Sequence, residues 1–406
     1  MTDVRSTGQG IGLGIVGAGG FATFLVGAAG SLPGVTVRSV ADVRPEAARR
    51  LADAQGARVA EPWTDLLTDA AVDVVVVATT PDSHASIAQA ALEAGKHVFV
   101  EKPLALDDAD ARDLVDTVER TGKVLVVDHV LRYNPLLRAL GRLRGSLLGP
   151  VQRFCFENDA SDQDLDPDHW FWDEARSGGI FVEHGVHFFD AATMLIDGAA
   201  TSVQAVAARR QDGPVDLVSA TVAHGDTLAT HTHSFTHAHR CERQLIRLDC
   251  GAAEVRIEGW IPVHAVIDAW TDDAGLLVAE GLPARTDELF HVDGFRPGPE
   301  AGIRVSSRRD AAPASARGRG TALHAPHHVR VELTLGGHDA KPAAYAESVR
   351  AAMTDLVARI ADGGAPFSGV AEGAAAVAVA TAATRAARHG RAEPLSSTPV
   401  PAGDRR

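Results

Sequence analysis

Residues 11–22 read IGLGIVGAGGFA, an apolar run followed by a glycine-rich turn. The apolar run predicts a strand, and helical spacing begins at Phe21. Gly17, Gly19 and Ala22 form the pattern Gly-x-Gly-x-x-Ala, in which the first glycine permits a tight turn and the second lets a pyrophosphate approach the backbone. Because a helix also begins with unpaired N–H groups, which attract anions, the stretch predicts a strand–turn–helix unit that binds a dinucleotide.

Strands and helices alternate through the first 130 residues. Predicted strands cover 11–16, 35–42, 72–78, 98–100 and 124–127, and predicted helices cover 21–30, 45–55, 83–94 and 107–121. Five strands that alternate with helices indicate a parallel, doubly wound α/β sheet with helices on both faces. We therefore assign residues 1–130 to a dinucleotide-binding domain.

The pattern changes after Asn134-Pro135. Alternation with a period of two from 202 to about 270 predicts an antiparallel sheet, and helices are predicted at about 179–195, 343–361 and 372–389. We assign 131–406 to a second, α+β domain with a large open, mostly antiparallel sheet. Its segment at about 306–320 is rich in Arg, Ala, Ser, Gly and Pro, which predicts a flexible surface insertion.

Composition excludes several classes of protein. The chain has 406 residues, of which 45% are hydrophobic and 23% charged, and its formal net charge is −14. These values fit two globular domains and argue against a nucleic-acid or anionic-membrane partner. The three cysteines, Cys155, Cys241 and Cys250, are too sparse for a disulfide scaffold, and the N-terminus has no signal-peptide pattern. We therefore expect a cytoplasmic protein.

Asp42 ends the second predicted strand, 20 positions after Ala22. A carboxylate at this place binds a ribose 2′-hydroxyl and repels a 2′-phosphate, so it favours NAD over NADP. Arg44 lies close by and softens that preference, which leaves NADP open.

More specific motifs follow along the chain. They read ATTPDSH at 78–84, EKP at 101–103, LRYNP at 131–135, SGG at 177–179 and EHGVHFFD at 183–190. In this order they resemble the motifs of the Gfo/Idh/MocA oxidoreductases, the superfamily of glucose–fructose oxidoreductase and inositol dehydrogenase. The resemblance extends from residue 11 to 391, apart from the segment near 306–320.

This resemblance implies an N-terminal Rossmann domain and an NAD-dependent dehydrogenase that acts on CH–OH groups. A hydride would pass between the nicotinamide and a secondary alcohol of a sugar, polyol or sugar derivative. The expected cofactor contacts are Gly17, Gly19, Gly20, Phe21, Ala22, Asp42, Arg44, Thr79, Thr80, His84, Glu101 and Lys102.

Lys102, His187 and Glu183 are the expected catalytic residues. Lys102 is one of only four lysines, and a lysine at a strand end beside cofactor and substrate can hold the substrate oxygen and carry a proton. His187 can act as the general base, and either residue can be the proton acceptor. Glu183 lies four residues before His187 on the predicted helix, where its carboxylate can hydrogen-bond a ring nitrogen and select the tautomer.

Two departures from the family pattern concern the substrate pocket. The family usually has Asp where this chain has Glu183, and its frequent Trp-Arg pair is replaced by Trp170-Phe171-Trp172. Aromatic rings there are suited to stacking on a sugar ring. The expected substrate contacts are Arg132, Tyr133, Asn134, Trp170 and Trp172.

Four histidines, at 231, 233, 237 and 239, fall on one face of a predicted strand. Ligands at alternate positions can hold a metal, but no carboxylate or thiolate completes such a site, so we expect no metal. A sheet face packed against another subunit is the favoured interpretation, and the open sheet predicts a homodimer or homotetramer.

Two alternatives remain open. A redox-neutral relative would retain NAD and cleave or epimerise a glycoside through a transient keto-sugar. A non-catalytic NAD-sensing regulator is the other, although such a protein has no need of Lys102 and His187.

Overall fold

The computed structural model describes residues 10–395, apart from 31, 164, 197, 211–212, 293–297, 311–314, 319–320 and 338. Within this part of the chain, a parallel sheet of six strands carries the N-terminal helices. Its order, β3-β2-β1-β4-β5-β6, confirms the predicted doubly wound fold. The strands are β1 (Ile11–Val16), β2 (Val35–Ala41), β3 (Arg58–Val59), β4 (Val74–Val77), β5 (His97–Val100) and β6 (Leu125–Val127). The helices are α1 (Gly20–Ala29), α2 (Pro45–Gln55), α3 (Asp65–Thr68), α4 (His84–Glu93) and α5 (Asp108–Thr121).

The central strands of this sheet end together. In the register of neighbouring strands, Val16 pairs with Val77, Val77 with Val100, and Val100 with Val127. All four valines are buried, because helices cover both faces of the sheet. The residues that follow these strands therefore share one edge, the carboxyl edge, where open α/β sheets bind ligands.

The second half of the chain forms a sheet of ten described strands, in the order β14-β17-β13-β12-β11-β7-β10-β9-β8-β18. The neighbours pair antiparallel, as predicted, except that β7 and β10 run parallel. These strands are β7 (Arg153–Asp159), β8 (Ser202–Arg209), β9 (Val215–His224), β10 (Thr227–Ser234), β11 (Arg243–Asp249), β12 (Ala253–Glu258), β13 (His264–Thr271), β14 (Gly302–Arg309), β17 (His327–Thr334) and β18 (Glu393–Pro394), while β15 (Ser315–Gly318) and β16 (Thr321–His324) form a separate hairpin.

Helices of the second half pack against both sheets. They are α6 (Pro135–Arg142), α7 (Glu174–Ser177), α8 (Val186–Leu195), α9 (Asp273–Gly281), α10 (Thr286–Leu289), α11 (Ala340–Asp362) and α12 (Val370–His389). A π-helical turn, Phe181–Gly185, leads directly into α8. Helix α12 contacts α5 as well as α8 and β8, and Ser368 exchanges hydrogen bonds with Val127 at the end of β6. The C-terminal helices therefore join the two halves of the chain.

The predicted flexible insertion at about 306–320 is wrong over residues 306–309. These residues belong to β14, which pairs with β17 from Gly302 to Arg309. The hydrogen bonds of an edge strand do not depend on side-chain polarity, so a run of Ser and Arg still forms a strand. Residues 311–314 and 319–320 lie outside the described residues, and 315–318 pair with 321–324.

The interpretation of the four histidines as a face packed against another subunit is also wrong. Only His231 and His233 lie on β10, and both are completely buried inside this chain against Phe189 of α8. His237 and His239 follow the end of the strand. Alternation placed the pair on one face correctly, but only the packing of α8 shows that this face is internal.

Among the described residues, no helix combines the length and the apolar character that crossing a membrane requires.

Candidate active site

A cavity of about 510 Å³ lies between the carboxyl edge of the parallel sheet and the second sheet. Residues of both halves form its walls, which are polar and apolar in similar measure. They are Phe21, Ala78, Thr79, Pro81, His84, Glu101, Lys102, Asn158, Ala160, Trp170, Glu183, His184, His187, Glu242, Gln244, Trp260, Lys341 and Tyr345. A smaller cavity of about 380 Å³ borders the glycine turn and is lined by Ala18, Gly19, Gly20, Thr23, Arg44, Ala47, Arg50, Leu51 and Ala54.

The glycine turn has the geometry that a dinucleotide requires. Gly17 has a φ of +93°, and a Cβ there would lie 2.4 Å from the carbonyl oxygen of Ala78. At Gly19 and Gly20 an added Cβ would meet no atom within 4 Å, so open space lies over the N-terminus of α1. Ala22, in the first turn of α1, is completely buried, as the small third residue of the motif requires. The turn therefore fits a pyrophosphate, held by backbone N–H groups.

We predict that Gly17→Ala and Gly19→Ala will separate folding from cofactor binding. Strain at a positive φ costs about 1–3 kcal/mol, and the close contact with Ala78 adds to it, so Gly17→Ala will lower the free energy of unfolding. Gly19→Ala meets open space and will stay within about 0.5 kcal/mol of the wild type. Its methyl group will nevertheless weaken NADH binding. Urea unfolding and NADH fluorescence titration measure the two effects, and equal stability of both variants would contradict the argument.

Asp42 is held at the end of β2 by its neighbours. Its carboxylate accepts hydrogen bonds from the Ala18 amide at 2.7 Å and the Arg44 amide at 2.8 Å. Partial burial alone would raise the pKa of Asp42, but these hydrogen bonds and the Arg44 charge lower it, so the group is a carboxylate. Arg44 and Arg50 line the adjacent cavity.

Lys102 and Glu183 form an ion pair across the larger cavity. The Lys102 Nζ lies 2.6 Å from Glu183 Oε1 and also donates to the Glu183 carbonyl oxygen at 3.1 Å. The expected hydrogen bond between Glu183 and His187 is therefore wrong, because the carboxylate turns to the ammonium group that reaches the π-helical turn from β5. In the described part of the chain, His187 Nδ1 has no hydrogen-bond partner.

Two histidines of the cavity, His184 in the π-helical turn and His187 at the start of α8, are neutral. Burial and the positive charge of Lys102 hold the pKa of His187 well below its ordinary value. The same causes lower the pKa of His184 to about 3. His184 Nδ1 lies 3.0 Å from Nδ1 of the buried His233, so one of the two rings donates to the other and the tautomers are linked.

Of the three cofactor contacts predicted after β4, namely Thr79, Thr80 and His84, two line the larger cavity and one does not. Thr79 and His84 line the larger cavity, whereas Thr80 lines neither cavity, and its backbone carbonyl oxygen accepts a hydrogen bond from the Ser83 hydroxyl. The His84 ring lies 2.8 Å from the Pro103 carbonyl oxygen and 3.1 Å from that of Thr79. Burial lowers the pKa of His84. This ring thus ties the loop after β4 to the loop that carries Lys102.

The structure corrects four of the five predicted substrate contacts. Arg132 is buried and its Nε donates to both Asp190 oxygens, at 2.7 and 2.8 Å. The Tyr133 hydroxyl donates to an Asp355 oxygen at 2.9 Å, and Asn134 accepts from the first amides of α6. These side chains stabilise the crossing between the halves and do not line the cavity.

Of the two tryptophans predicted to contact the substrate, only one lines the cavity. Trp170 lines the cavity and stays a predicted substrate contact. Trp172 instead packs edge-on against Phe171 and Phe235, and its indole N–H donates to the Leu165 carbonyl oxygen at 3.2 Å. The short 3₁₀ turn of residues 170–172 rotates neighbouring side chains to different sides, so only one ring faces the cavity.

Several cavity residues have no recognisable motif in the sequence. They are Asn158, Glu242, Gln244, Trp260, Lys341 and Tyr345. Only Lys341 carried a signal, since it is one of four lysines in a chain whose other cations are arginines, and it shares the cavity with Lys102. The others come from strand ends and from α11, which only the folded chain brings together.

Among the described residues, no group of three or more His, Cys, Asp or Glu side chains is placed to hold a metal ion. What the structure does combine is a glycine turn at a parallel sheet's carboxyl edge, a lysine–glutamate pair and a neutral histidine facing the same cavity. This arrangement is typical of the dinucleotide-binding oxidoreductases. The family model described as "Oxidoreductase family, NAD-binding Rossmann fold" matches residues 11–129, and that of the GFO/IDH/MocA C-terminal domain matches 141–255. The chain belongs to the Gfo/Idh/MocA oxidoreductase family, which confirms the resemblance.

Curated relatives include dehydrogenases of inositols. The scyllo-inositol 2-dehydrogenase (NAD(+)) of Bacillus subtilis (strain 168) is 28% identical over 228 residues, which cover 52% of this chain and 64% of the relative. The inositol 2-dehydrogenase of Rhizobium meliloti (strain 1021) is 32% identical over 197 residues, which cover 48% and 58%. The match thus spans less than two thirds of either relative.

Solved structures share the fold over nearly the whole chain. A levoglucosan dehydrogenase in complex with NADH and L-sorbose has a TM-score of 0.71 at 18% identity, covering 95% of this chain and 99% of the other. A putative myo-inositol dehydrogenase from Sinorhizobium meliloti 1021 has a TM-score of 0.65 at 23% identity, covering 95% and 100%. At such identities the likeness establishes the fold.

Proposed function

We propose that this protein is an NAD-dependent dehydrogenase of a secondary alcohol in a sugar, polyol or sugar derivative. The observation that carries the proposal is the Lys102–Glu183 ion pair. It lies with His187 on the wall of the larger cavity, at the carboxyl edge of the parallel sheet. The inositol dehydrogenases among its relatives support the substrate class.

In the proposed reaction, bound NAD supplies the hydride acceptor. Lys102 holds the substrate oxygen and stabilises the negative charge that develops there, since its ammonium group is positioned by Glu183. His187 is neutral, and therefore able to take the hydroxyl proton. Trp170 offers a ring face to the sugar, while Asn158 and Gln244 offer amides to its hydroxyls.

We further propose NAD rather than NADP as the cofactor, because the Asp42 carboxylate at the end of β2 repels a 2′-phosphate. Arg44 and Arg50 in the adjacent cavity act in the opposite direction and favour a phosphate. A comparison of NADH and NADPH binding decides between them, and Asp42→Ala will shift the ratio towards NADPH. The homo-oligomeric state stays a prediction.

The experiment is a panel of inositols, free sugars and glycosides offered to the purified protein with NAD, followed by NADH absorbance. We expect one class of polyol or sugar to reduce NAD. If no compound does so but NAD is released on denaturation, the redox-neutral alternative is favoured. If the protein neither reduces nor binds NAD, the proposed function is wrong.

A further inference from the structure

Glu101 and Asp128 occupy equivalent places on neighbouring strands. Val100 of β5 pairs with Val127 of β6 in parallel register, and each carboxylic residue follows its valine directly. The Asp128 amide donates to the Val100 carbonyl oxygen at 2.9 Å, so the register continues past the strand ends. Residues in register on neighbouring strands point to the same face, and the two carboxyl groups therefore lie side by side.

The carboxyl groups of Glu101 and Asp128 differ in their exposure to the cavity. Glu101 lines the larger cavity, whereas Asp128 stands behind it and is only 1% exposed. Within the described part of the chain, no N–H or hydroxyl group donates to either Asp128 oxygen, and the only hydrogen-bond contact of this side chain is with the Glu101 carboxyl group. Two adjacent charges without hydrogen-bond donors are too costly to bury, so the fold favours a protonated group here.

Other charged groups near the carboxyl pair, Glu101 and Asp128, do not remove this cost. Lys102 attracts both carboxylates, but its ammonium group is bonded to Glu183. Tyr345 of α11 faces the pair as a neutral phenol, because burial and the two carboxylates raise its pKa. On the α12 side, Glu372 interacts with Arg132 and its own helix start rather than with the pair.

The titration of the pair follows from this arrangement. Burial and the Asp128 charge raise the pKa of Glu101 well above its ordinary value, although Lys102 opposes the rise. Burial raises the pKa of Asp128 to about 7, while the hydrogen bond with Glu101 and the charge of Lys102 act in the opposite direction. The two groups titrate as one unit, with one proton retained near neutral pH.

We propose that Glu101 and Asp128 share one proton behind the nicotinamide site and release it when the positively charged nicotinamide of NAD⁺ binds. This inference rests on the proposed function and on Glu101 as a cofactor contact: hydride transfer next to Lys102 would bring the nicotinamide ring close to the adjacent Glu101, which lines the same cavity. The step is a displacement: the singly protonated pair and NAD⁺ form a complex with both carboxylates ionised, and the proton passes to solvent. Neutral NADH gives no such displacement. Glu101 is the contact, and Asp128 is a positioning residue that acts through it.

The consequence is a pH-dependent preference between the two redox forms. As pH rises through the titration of the pair, the affinity for NAD⁺ will increase relative to that for NADH. Asp128→Asn removes the repulsion that adds to burial in raising the pKa of Glu101, so Glu101 titrates at lower pH and the dependence around neutral pH becomes weaker.

Calorimetric titration of the purified protein with NAD⁺ and with NADH, in two buffers of different ionisation enthalpy, counts the protons released. We expect wild-type protein at pH 7 to release part of a proton with NAD⁺ and almost none with NADH. Asp128→Asn will release clearly less with NAD⁺ than the wild type, because the pKa of Glu101 is lower without the second carboxylate. The exposed Asp82→Asn, beside the same cleft, will behave like the wild type.

Infrared spectra of the protein without cofactor provide a second test. A protonated carboxyl band that disappears as pH rises through neutrality is expected in the wild type, and in Asp128→Asn the band will disappear at a lower pH because Glu101 has lost its repelling neighbour. Since the folded state retains a proton that the unfolded chain loses near pH 4, wild-type stability also falls as pH rises from about 4 to 7, and this fall will be smaller in the variant.

Equal proton release from the wild type and Asp128→Asn, or a missing infrared band, would overturn the inference. A protein that binds neither NAD⁺ nor NADH contradicts the proposed function instead, and the infrared band then decides on the pair alone. If Asp128→Asn does not fold, Glu101→Gln replaces it in both measurements.

Discussion

Lys102→Met is expected to lower turnover by about 10²–10⁴-fold, the range typical for removal of a group that acts on the transferred proton or the charged oxygen. The ammonium group faces the cavity at the sheet edge and is bonded to Glu183 at 2.6 Å. Methionine keeps much of the side-chain volume but supplies neither the charge nor a donor. NADH affinity is expected to stay within a few-fold of the wild type, so the loss will be in kcat.

The Lys102→Met variant also leaves the Glu183 carboxylate without its ion-pair partner. We therefore expect a lower melting temperature, which Lys102→Met combined with Glu183→Gln restores without restoring turnover. Lys123→Met is a matched control, since Lys123 precedes β6 at the opposite edge of the same sheet. Turnover of Lys102→Met within threefold of the wild type would show that Lys102 does not act on the substrate.

Arg132→Met is expected to lower the free energy of unfolding by about 3–5 kcal/mol, the cost of leaving one partner of a buried ion pair alone. The Asp190 side chain is 1% exposed and both its oxygens accept from Arg132 Nε. Asp190 lies on α8, three residues after His187, so the pair also anchors the helix that carries the proposed base. Urea unfolding measures the loss.

Two further variants make this result specific. Arg132→Met with Asp190→Leu removes both charges and should recover much of the stability, because an apolar pair of similar volume replaces the ions. Arg112→Met breaks an exposed ion pair with Asp108 on α5 and should cost no more than about 0.5 kcal/mol. If Arg132→Met is as mild as Arg112→Met, burial does not control the strength of the pair.

The substrate contacts show where sequence reasoning fails. Arg132, Tyr133 and Asn134 are polar residues in a motif, which made them candidates for a pocket. Each is instead engaged by a residue at least 50 positions away or by the start of its own helix. Sequence shows which residues are polar, but the partner that satisfies each one is set by long-range packing.

The amino-acid sequence by itself determined the doubly wound sheet and the glycine turn, because hydrophobic periodicity and glycine requirements act over a few neighbouring positions. The motifs that resemble those of the family predict Lys102, His187 and Glu183 as site residues, and all three line the cavity. Only the tertiary structure decided that Glu183 binds Lys102 rather than His187, and that Asp128 lies beside Glu101. The reason is physical. Strand register and a π-helical turn bring together charges that are 27 and 81 residues apart, and electrostatic interactions depend on distance in space.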